Sequence, residues 1–217
     1  MAKQHTGDEL LVFDGMPIGY SLSDFWRWNS SDLLSNTLRG AYAEFVVSSA
    51  LDVDLTGTNA DWGAYDITFP FRWFDGERWR NEIRIEVKCS AYLQSWNENK
   101  LSNIIFSIRP TRAWNPTDGY GDEVRRQSDV YVFCVYTETN RAEANPIVLD
   151  GWDFYIVPTR KLNDICGAQK SISLPSLLHL DPIKADYSGI KDAIVDGVRS
   201  YPPPPSICIT FIYNFCS

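Results

Sequence analysis

Between residues 31 and 51 the chain carries apolar positions with the period of an α-helix. Small or apolar residues recur at spacings of three and four along one face, at Leu34, Leu38, Ala41, Phe45 and Ser49. Ser31 stands before this stretch and has a side chain suited to capping a first turn. The spacing therefore predicts a helix from Ser31 to Leu51.

Two stretches, 64–74 and 78–89, are rich in the β-branched and aromatic residues that strands favour. The Asp75-Gly76 pair between them is a strong turn signal, so together they predict a β-hairpin. Further strands are expected at 103–108, 129–136 and 152–157, and short helices at 159–166, 175–180 and 187–199. This order predicts an α/β fold, α+β by strict count, in which helices flank a central mixed β-sheet.

The chain is expected to hold one main domain, over residues 31–200. Residues 1–30 are polar with aromatic interruptions and predict an arm that packs on this domain. Residues 109–129 are rich in proline and glycine, which is typical of a long loop, and such loops are often functional. Residues 201–217 combine four consecutive prolines, which favour a linker, with an apolar stretch. That stretch either adds a strand or is a terminus foreign to the domain.

The composition excludes several classes of protein. Among 217 residues the net charge is −8, so no overall basic field attracts nucleic acid, and any such contact must be local. The two histidines, His5 and His179, argue against multi-histidine metal sites and histidine-based nucleophilic catalysis. Motifs of nucleotide hydrolases, serine hydrolases and deaminases are absent from the sequence.

The cysteines are scattered and include no C-x-x-C pair: Cys89, Cys134, Cys166, Cys208 and Cys216. Neither a disulfide framework nor a zinc ribbon is expected, and reduced thiols indicate a cytoplasmic protein. The polar N-terminus does not have the apolar core of a signal peptide, and no run of about 18 apolar residues offers a membrane span.

The hairpin carries the most informative charged residues. Alternation along the second strand places Glu86 and Lys88 on one face and the apolar residues between them on the other. Asp66 lies on the corresponding face of the first strand. If the loop is the three residues 75–77, Asp66 lies directly opposite Glu86, whereas a two-residue loop or a bulge at Pro70 shifts this pairing by one.

A third carboxylate, Glu44, lies on the predicted helix at the edge of its apolar stripe, one turn after Gly40. Three carboxylates within about 5 Å repel one another by roughly 3 kcal/mol per pair at an effective dielectric constant of 20. Such a cluster favours a cation, and ligation by oxygen alone selects Mg²⁺ or Mn²⁺.

The ordered set Gly40-x-x-x-Glu44, Asp66 and Glu86-Val87-Lys88, followed by Ser90 and Gln94, resembles the PD-(D/E)XK nuclease superfamily, whose members have the restriction-endonuclease-like fold. The resemblance covers residues 31–136. Two positions depart from the family pattern, because Tyr65 replaces the proline before Asp66, and Glu98 stands where one subgroup has a tyrosine four residues after Gln94.

The resemblance implies metal-dependent hydrolysis of phosphodiester bonds. Asp66, Glu86 and the Val87 carbonyl would hold Mg²⁺ or Mn²⁺, and Lys88 would orient or deprotonate the attacking water. Glu44 would support a second metal ion or its water. The resemblance also implies a DNA substrate, double-stranded DNA above all, a restriction or defence role, and, as in many members of the fold, a homodimer.

Residues 72–126 contain ten basic and eight acidic residues, so the candidate site lies in the less acidic part of the chain. Six residues are predicted to contact nucleic acid: Ser90, Gln94, Arg109, Arg112, Arg125 and Arg126. Two alternatives remain at this point. The protein binds nucleic acid on the same fold without cleaving it, or it is a protein-interaction module.

Overall fold

The computed structural model describes residues 3–57, 63–97, 99–115, 117 and 119–200. The helices in this part of the chain are α1 (Leu22–Ser30), α2 (Asn36–Ala50), α3 (Thr159–Cys166), α4 (Leu174–Leu178) and α5 (Ile190–Ser200). The strands are β1 (Leu10–Phe13), β2 (Met16–Ser21), β3 (Ile67–Phe74), β4 (Trp79–Ala91), β5 (Ile105–Ser107), β6 (Thr111–Asn115), β7 (Gly119–Arg125), β8 (Val130–Tyr136), β9 (Trp152–Pro158), β10 (Ser171–Ser173) and β11 (Ile183–Ala185). Short 3-10 helices lie at Leu149–Gly151 and Tyr187–Gly189.

A five-stranded sheet in the order β11-β9-β8-β4-β3 forms the centre of the molecule. β4 and β8 run parallel, and the other neighbouring pairs of this sheet are antiparallel. The predicted mixed sheet flanked by helices is therefore confirmed. Its hairpin, its strands β8 and β9 and the helices α3, α4 and α5 lie within a few residues of their predicted positions.

Each face of the sheet has its own apolar core, because side chains alternate between the faces along every strand. The first core lies against α2 and α5 and includes Ile83, Ile85 and Val87 of β4. The second core lies on the opposite face, against α3, α4 and the β5–β10 pair, and includes Tyr131 and Phe133 of β8. Burial on both faces explains why all seven residues of β8 are buried.

The tip of the β3–β4 hairpin has the two-residue loop, which is one of the alternatives left open by the sequence. Phe74 pairs with Trp79, and the N–H of Asp75 donates to the carbonyl of Arg78 at 3.1 Å, so the loop proper is only Gly76 and Glu77. At the tip, the strands are therefore one residue out of the register that a three-residue loop would give.

A bulge corrects this shift before the strands reach the candidate site. The register changes between Pro70 and Trp73, and Ile67 then pairs with Ile85, as the three-residue loop would have required. The pairing near Asp66 is therefore the one that the three-residue loop would give, although a two-residue loop and a bulge together produce it.

Helix α2 differs from its prediction in both its start and its buried face. It begins at Asn36, and the residues that it buries are Arg39, Ala43, Val46, Val47 and Ser48. The predicted stripe instead includes Phe45, which is among the exposed apolar residues. Apolar residues occur on several sides of α2, and the charged Arg39 lies on its buried face. Hydropathy therefore did not identify which face is buried.

The N-terminal prediction needs a correction. Residues 10–30 form the β1–β2 hairpin and α1, and none of the residues of these three elements is buried. The arm expected to pack on the domain thus contributes nothing to either core. Ser21 and Asp24 form a capping box that starts α1 locally.

The predicted loop at 109–129 is largely an antiparallel hairpin made of β6 and β7, with Trp114 paired to Tyr120. Alternation there is weak because both strands are mostly exposed, so the strands could not be recognised from their pattern.

Residues 201–217 and Glu98 lie outside the described residues. The predicted linker, and the choice between an added strand and a foreign terminus for the apolar stretch, therefore stay predictions. Within the described ranges, each helix is too short or too polar to cross a membrane.

Candidate active site

Asp66, Glu86 and Lys88 come together where β3 begins. The Lys88 Nζ lies 2.5 Å from Glu86 Oε1 and 3.9 Å from Asp66 Oδ2. The side chains of Asp66, Glu86 and Lys88 are 24%, 18% and 27% exposed, respectively. These residues form one partly buried ion cluster that a ligand could still reach from solvent.

The main chain of β4 holds Asp66 in place. Its Oδ2 accepts a hydrogen bond from the N–H of Val87 at 2.7 Å, and its own N–H donates to the carbonyl of Ile85 at 3.0 Å. The pairing of β3 with β4 ends at Ile67 and Ile85. The part of β4 that carries Glu86 and Lys88 is therefore not paired with β3.

Glu44 approaches the same place from α2. It lines a cavity of about 870 Å³ together with Tyr65, Asp66, Thr68 and Lys191, beside other residues of α2 and β3. Its charge also contributes to the raised pKa of Glu86, so the helix brings a third carboxylate near the cluster.

The electrostatics of the cluster reflect burial and an excess of negative charge. Burial raises the pKa of Asp66 above its ordinary value, although Lys88 and the Val87 N–H oppose this effect. Burial also raises the pKa of Glu86, against the influence of Lys88 and with help from Asp66. Burial alone would lower the pKa of Lys88, but the carboxylates of Glu86 and Asp66 outweigh it and the pKa is raised. An additional cation would therefore be favourable here.

The three predicted carboxylates are not grouped around one point that could hold a metal ion. In the described part of the chain, no three His, Cys, Asp or Glu side chains are grouped so that they could hold a metal ion. Two carboxylates contact the Lys88 ammonium instead, and Glu44 lines a cavity that it shares with Asp66 of the cluster. The donor set of carboxylate and main-chain oxygens still suits a hard divalent cation.

The comparison with known families adds an independent observation. A family model described as bacteriophage T4 endonuclease IV matches residues 17–174, about three quarters of the chain. The chain belongs to this endonuclease IV family. It is thus a member of a nuclease family, and every predicted site residue falls inside the match. No curated protein and no solved structure matches the chain significantly.

Ser90 and Gln94, predicted to contact nucleic acid in this endonuclease IV family member, are both buried. The side-chain amide of Gln94 donates to the carbonyl of Ala91 at 3.0 Å and accepts from Arg39 at 3.2 Å. Both ends of this amide therefore bond to the protein itself. The prediction of a direct contact is corrected for both residues, because their buried side chains cannot reach a bound strand.

Arg126 also needs a correction. It is buried, and its guanidinium donates to the carbonyl of Ile108 at 2.8 Å, to Asn163 Oδ1 at 2.7 Å, and to the carbonyls of Gly167 at 2.9 Å and Gln169 at 3.3 Å. These bonds tie the end of the β6–β7 hairpin to α3 and the residues after it. Arg126 is a structural residue and is not available to a phosphate.

The other three arginines remain candidates for phosphate contacts. Arg109, Arg112 and Arg125 are exposed on or beside the β6–β7 hairpin. Arg125 forms a 3.1 Å ion pair with Glu123, which is itself exposed, so this pair is worth little and can exchange for a phosphate.

Several residues near the site gave no usable signal in the sequence. Arg39 is 2% exposed on the inner face of α2, where a charged residue is rarely found. Arg84 forms a 2.6 Å ion pair with Asp129 where β4 and β8 begin to pair. The bond from Arg39 to Gln94 and the pair of Arg84 with Asp129 join residues far apart in the chain, so only the folded structure could identify them.

Proposed function

We propose that this member of the endonuclease IV family is a divalent-metal-dependent nuclease of PD-(D/E)XK type that hydrolyses phosphodiester bonds in DNA. The convergence of Asp66, Glu86 and Lys88 carries this proposal, because the residues that match the PD-(D/E)XK motifs on the two strands of the hairpin meet in one cluster. Membership of a nuclease family supports the class of reaction.

Asp66, Glu86 and the Val87 carbonyl would hold Mg²⁺ or Mn²⁺, and Glu44 would add a carboxylate from α2. Burial raises the pKa of both carboxyl groups, and the charges of Asp66 and Glu44 add to this effect at Glu86, so a bound cation would stabilise the ionised carboxylates. When bound, such an ion acts as a Lewis acid on phosphate oxygens and makes water a stronger nucleophile.

Lys88 supplies a fixed positive charge beside the attacked phosphate. Hydrolysis joins a water oxygen to phosphorus and breaks one P–O ester bond, and the departing oxygen gains a proton. The products are a phosphomonoester and a hydroxyl group. Because the pKa of Lys88 is raised, the side chain stays charged at neutral pH and is suited to orienting the water and stabilising phosphate oxygens. This supports the orienting role over the deprotonating one.

The name of the matched family and the exposed Arg109, Arg112 and Arg125 support a nucleic-acid substrate, and we propose DNA. The strongest of these supports is the family, since the basic residues alone would suit any polyanion. A homodimer and a restriction or defence role stay predictions.

A cleavage assay tests the proposal directly. Labelled single- and double-stranded DNA and RNA of one sequence are incubated with the protein in Mg²⁺, in Mn²⁺ and in chelator. We expect cleavage of DNA only with a metal, and a loss of at least about 100-fold in the Glu86→Gln and Lys88→Ala variants with little change in binding.

Glu82→Gln is the matched control, because Glu82 is exposed and lies on the same face of β4 as Glu86. It should cleave at the wild-type rate. Tight binding by the wild type without metal-dependent cleavage would instead favour the non-cleaving alternative, and undiminished cleavage by Lys88→Ala would refute the mechanism.

A further inference from the structure

A turn directly after β4 presents a tryptophan to solvent. Gln94 and Asn97 form an isolated bridge, with Trp96 between them. The Trp96 side chain is 69% exposed, although the residues before it, Leu93 and Gln94, are buried. One of the largest apolar side chains of the protein thus protrudes from an anchored base.

Two arginines donate hydrogen bonds to this turn. Arg141 donates to the carbonyls of Gln94 at 2.7 Å and Asn97 at 2.9 Å. Arg39, from α2, donates to Gln94 Oε1 at 3.2 Å, and also to Asn36 Oδ1 and the carbonyl of Leu34 near the start of its own helix. In each of these arginines the buried Nε has no hydrogen-bond partner within the described residues. A buried nitrogen without a partner is unfavourable, so these arginines anchor the turn at a cost in stability.

The turn lies close to the carboxylate cluster. Arg39 precedes Glu44 by five residues on α2, a rise of about 7.5 Å. Ala91, which accepts a hydrogen bond from Gln94, follows Lys88 by three residues on β4, about 10 Å. Because the turn is anchored to Arg39 and to Ala91, it lies about 10 to 20 Å from Lys88. About three to six nucleotides span this distance at 3.4 Å each.

We propose that Trp96 stacks on a base of the nucleic-acid substrate about three to six nucleotides from the cleaved bond. Arg39, Arg141 and Gln94 are positioning residues that hold the tryptophan at this place. The inference rests on the proposed function. Every base offers a π-face, so an exposed indole on a rigid turn binds a strand without sequence preference. Stacking also needs no positive charge, which suits a protein with a net charge of −8.

Binding of a labelled DNA oligonucleotide is measured in the Glu86→Gln background with Mg²⁺, so that the strand stays intact. Trp96→Ala should weaken binding about 5- to 150-fold, and Trp96→Phe, which keeps an aromatic face, should retain most of the affinity. The salt dependence of binding should not change, because no phosphate contact is lost. Trp28→Ala is the matched control, since Trp28 is exposed on α1 and should have no effect.

Arg141→Ala tests the positioning role. It should weaken binding when Trp96 is present and add nothing in the Trp96→Ala background. In the cleaving protein it should raise KM and leave kcat unchanged. If Arg141→Ala weakens binding by the same factor with and without Trp96→Ala, the positioning role of Arg141 is overturned.

Binding by Trp96→Ala that equals the parent's, or equal losses in Trp96→Phe and Trp96→Ala, would overturn the stacking. Wild-type cleavage of the same oligonucleotide is measured in parallel. Cleavage without an effect of Trp96 refutes the stacking alone, whereas a wild type that neither binds nor cleaves DNA refutes both proposals.

Discussion

The N–H of Val87 donates to Oδ2 of Asp66 across the β3–β4 junction at 2.7 Å. This bond ties one carboxylate of the cluster to the strand that carries Glu86 and Lys88. An asparagine at position 66 could still accept it through its side-chain oxygen, so replacing the charge need not disturb the fold. This makes Asp66→Asn a suitable probe of the site.

We expect Mg²⁺ or Mn²⁺ to raise the Tm of the wild type more than that of Asp66→Asn. A ligand that binds only the folded state stabilises it by mass action, and the variant has lost one of the proposed ligands. Thermal unfolding with and without metal measures the difference. Glu82→Gln, which removes a charge from the same face, should keep the full shift. Equal shifts in the wild type and Asp66→Asn would exclude Asp66 as a ligand.

The Asp66→Asn variant also tests how the titration of Asp66 affects stability. The pKa of Asp66 is raised in the folded state. Its favourable contribution to the free energy of unfolding is therefore complete below the pKa of the unfolded state and disappears as the pH rises through the pKa of the folded state. In chelator, the wild type should therefore lose Tm relative to Asp66→Asn as the pH rises from about 4 through the raised pKa of the folded state. A constant difference in Tm across this range would contradict the raised pKa.

Two consecutive arginines should behave in opposite ways. Arg126→Ala removes a buried guanidinium that serves several carbonyls, and we expect the free energy of unfolding to fall by about 2 to 4 kcal/mol. Arg125→Ala, at an exposed position, should change it by less than about 0.5 kcal/mol. Urea denaturation measures both values. Similar losses in the two variants would contradict the burial of Arg126.

The exposed arginines should instead affect binding. Removing Arg112 and Arg125 together should flatten the slope of log affinity against log salt by about 1.8 on duplex DNA and about 1.4 on a single strand. Titrations at several salt concentrations in the Glu86→Gln background measure this slope. Lys3→Ala with Arg27→Ala removes equal charge from exposed N-terminal positions and should leave the slope unchanged. An unchanged slope in the first pair would remove the β6–β7 hairpin from the substrate-binding surface.

The candidate cluster was accessible from the sequence because its signals are local. Alternation along β4 is enough to place Glu86 and Lys88 on one face, and a hairpin brings Asp66 opposite them. The details of that hairpin were not accessible, since a two-residue loop and a bulge have compensating effects on the register. A sequence pattern constrains which residues meet more strongly than it constrains how the backbone brings them together.

The errors share a different cause. Arg126 is buried among partners distant in the chain, and Arg39 bonds to the distant Gln94 as well as to two near neighbours, whereas a sequence pattern assigns arginine to the surface. At the N-terminus the opposite error occurs, because Phe13, Met16 and Trp28 are apolar and yet exposed. Hydropathy describes what a side chain tolerates, and only tertiary contacts decide where it lies.

The bulge between Pro70 and Trp73 has a consequence for how related chains can vary. It divides the hairpin into a tip, where the turn sets the pairing, and a base, where Asp66 and Glu86 need one fixed alignment. An insertion or deletion of one residue at the tip can be absorbed by gaining or losing the bulge, whereas the same change between Ile67 and Pro70 would turn the base of the strand over. In homologous sequences we expect gaps to accumulate around the turn and bulge, while the residues beside Asp66 keep constant spacing.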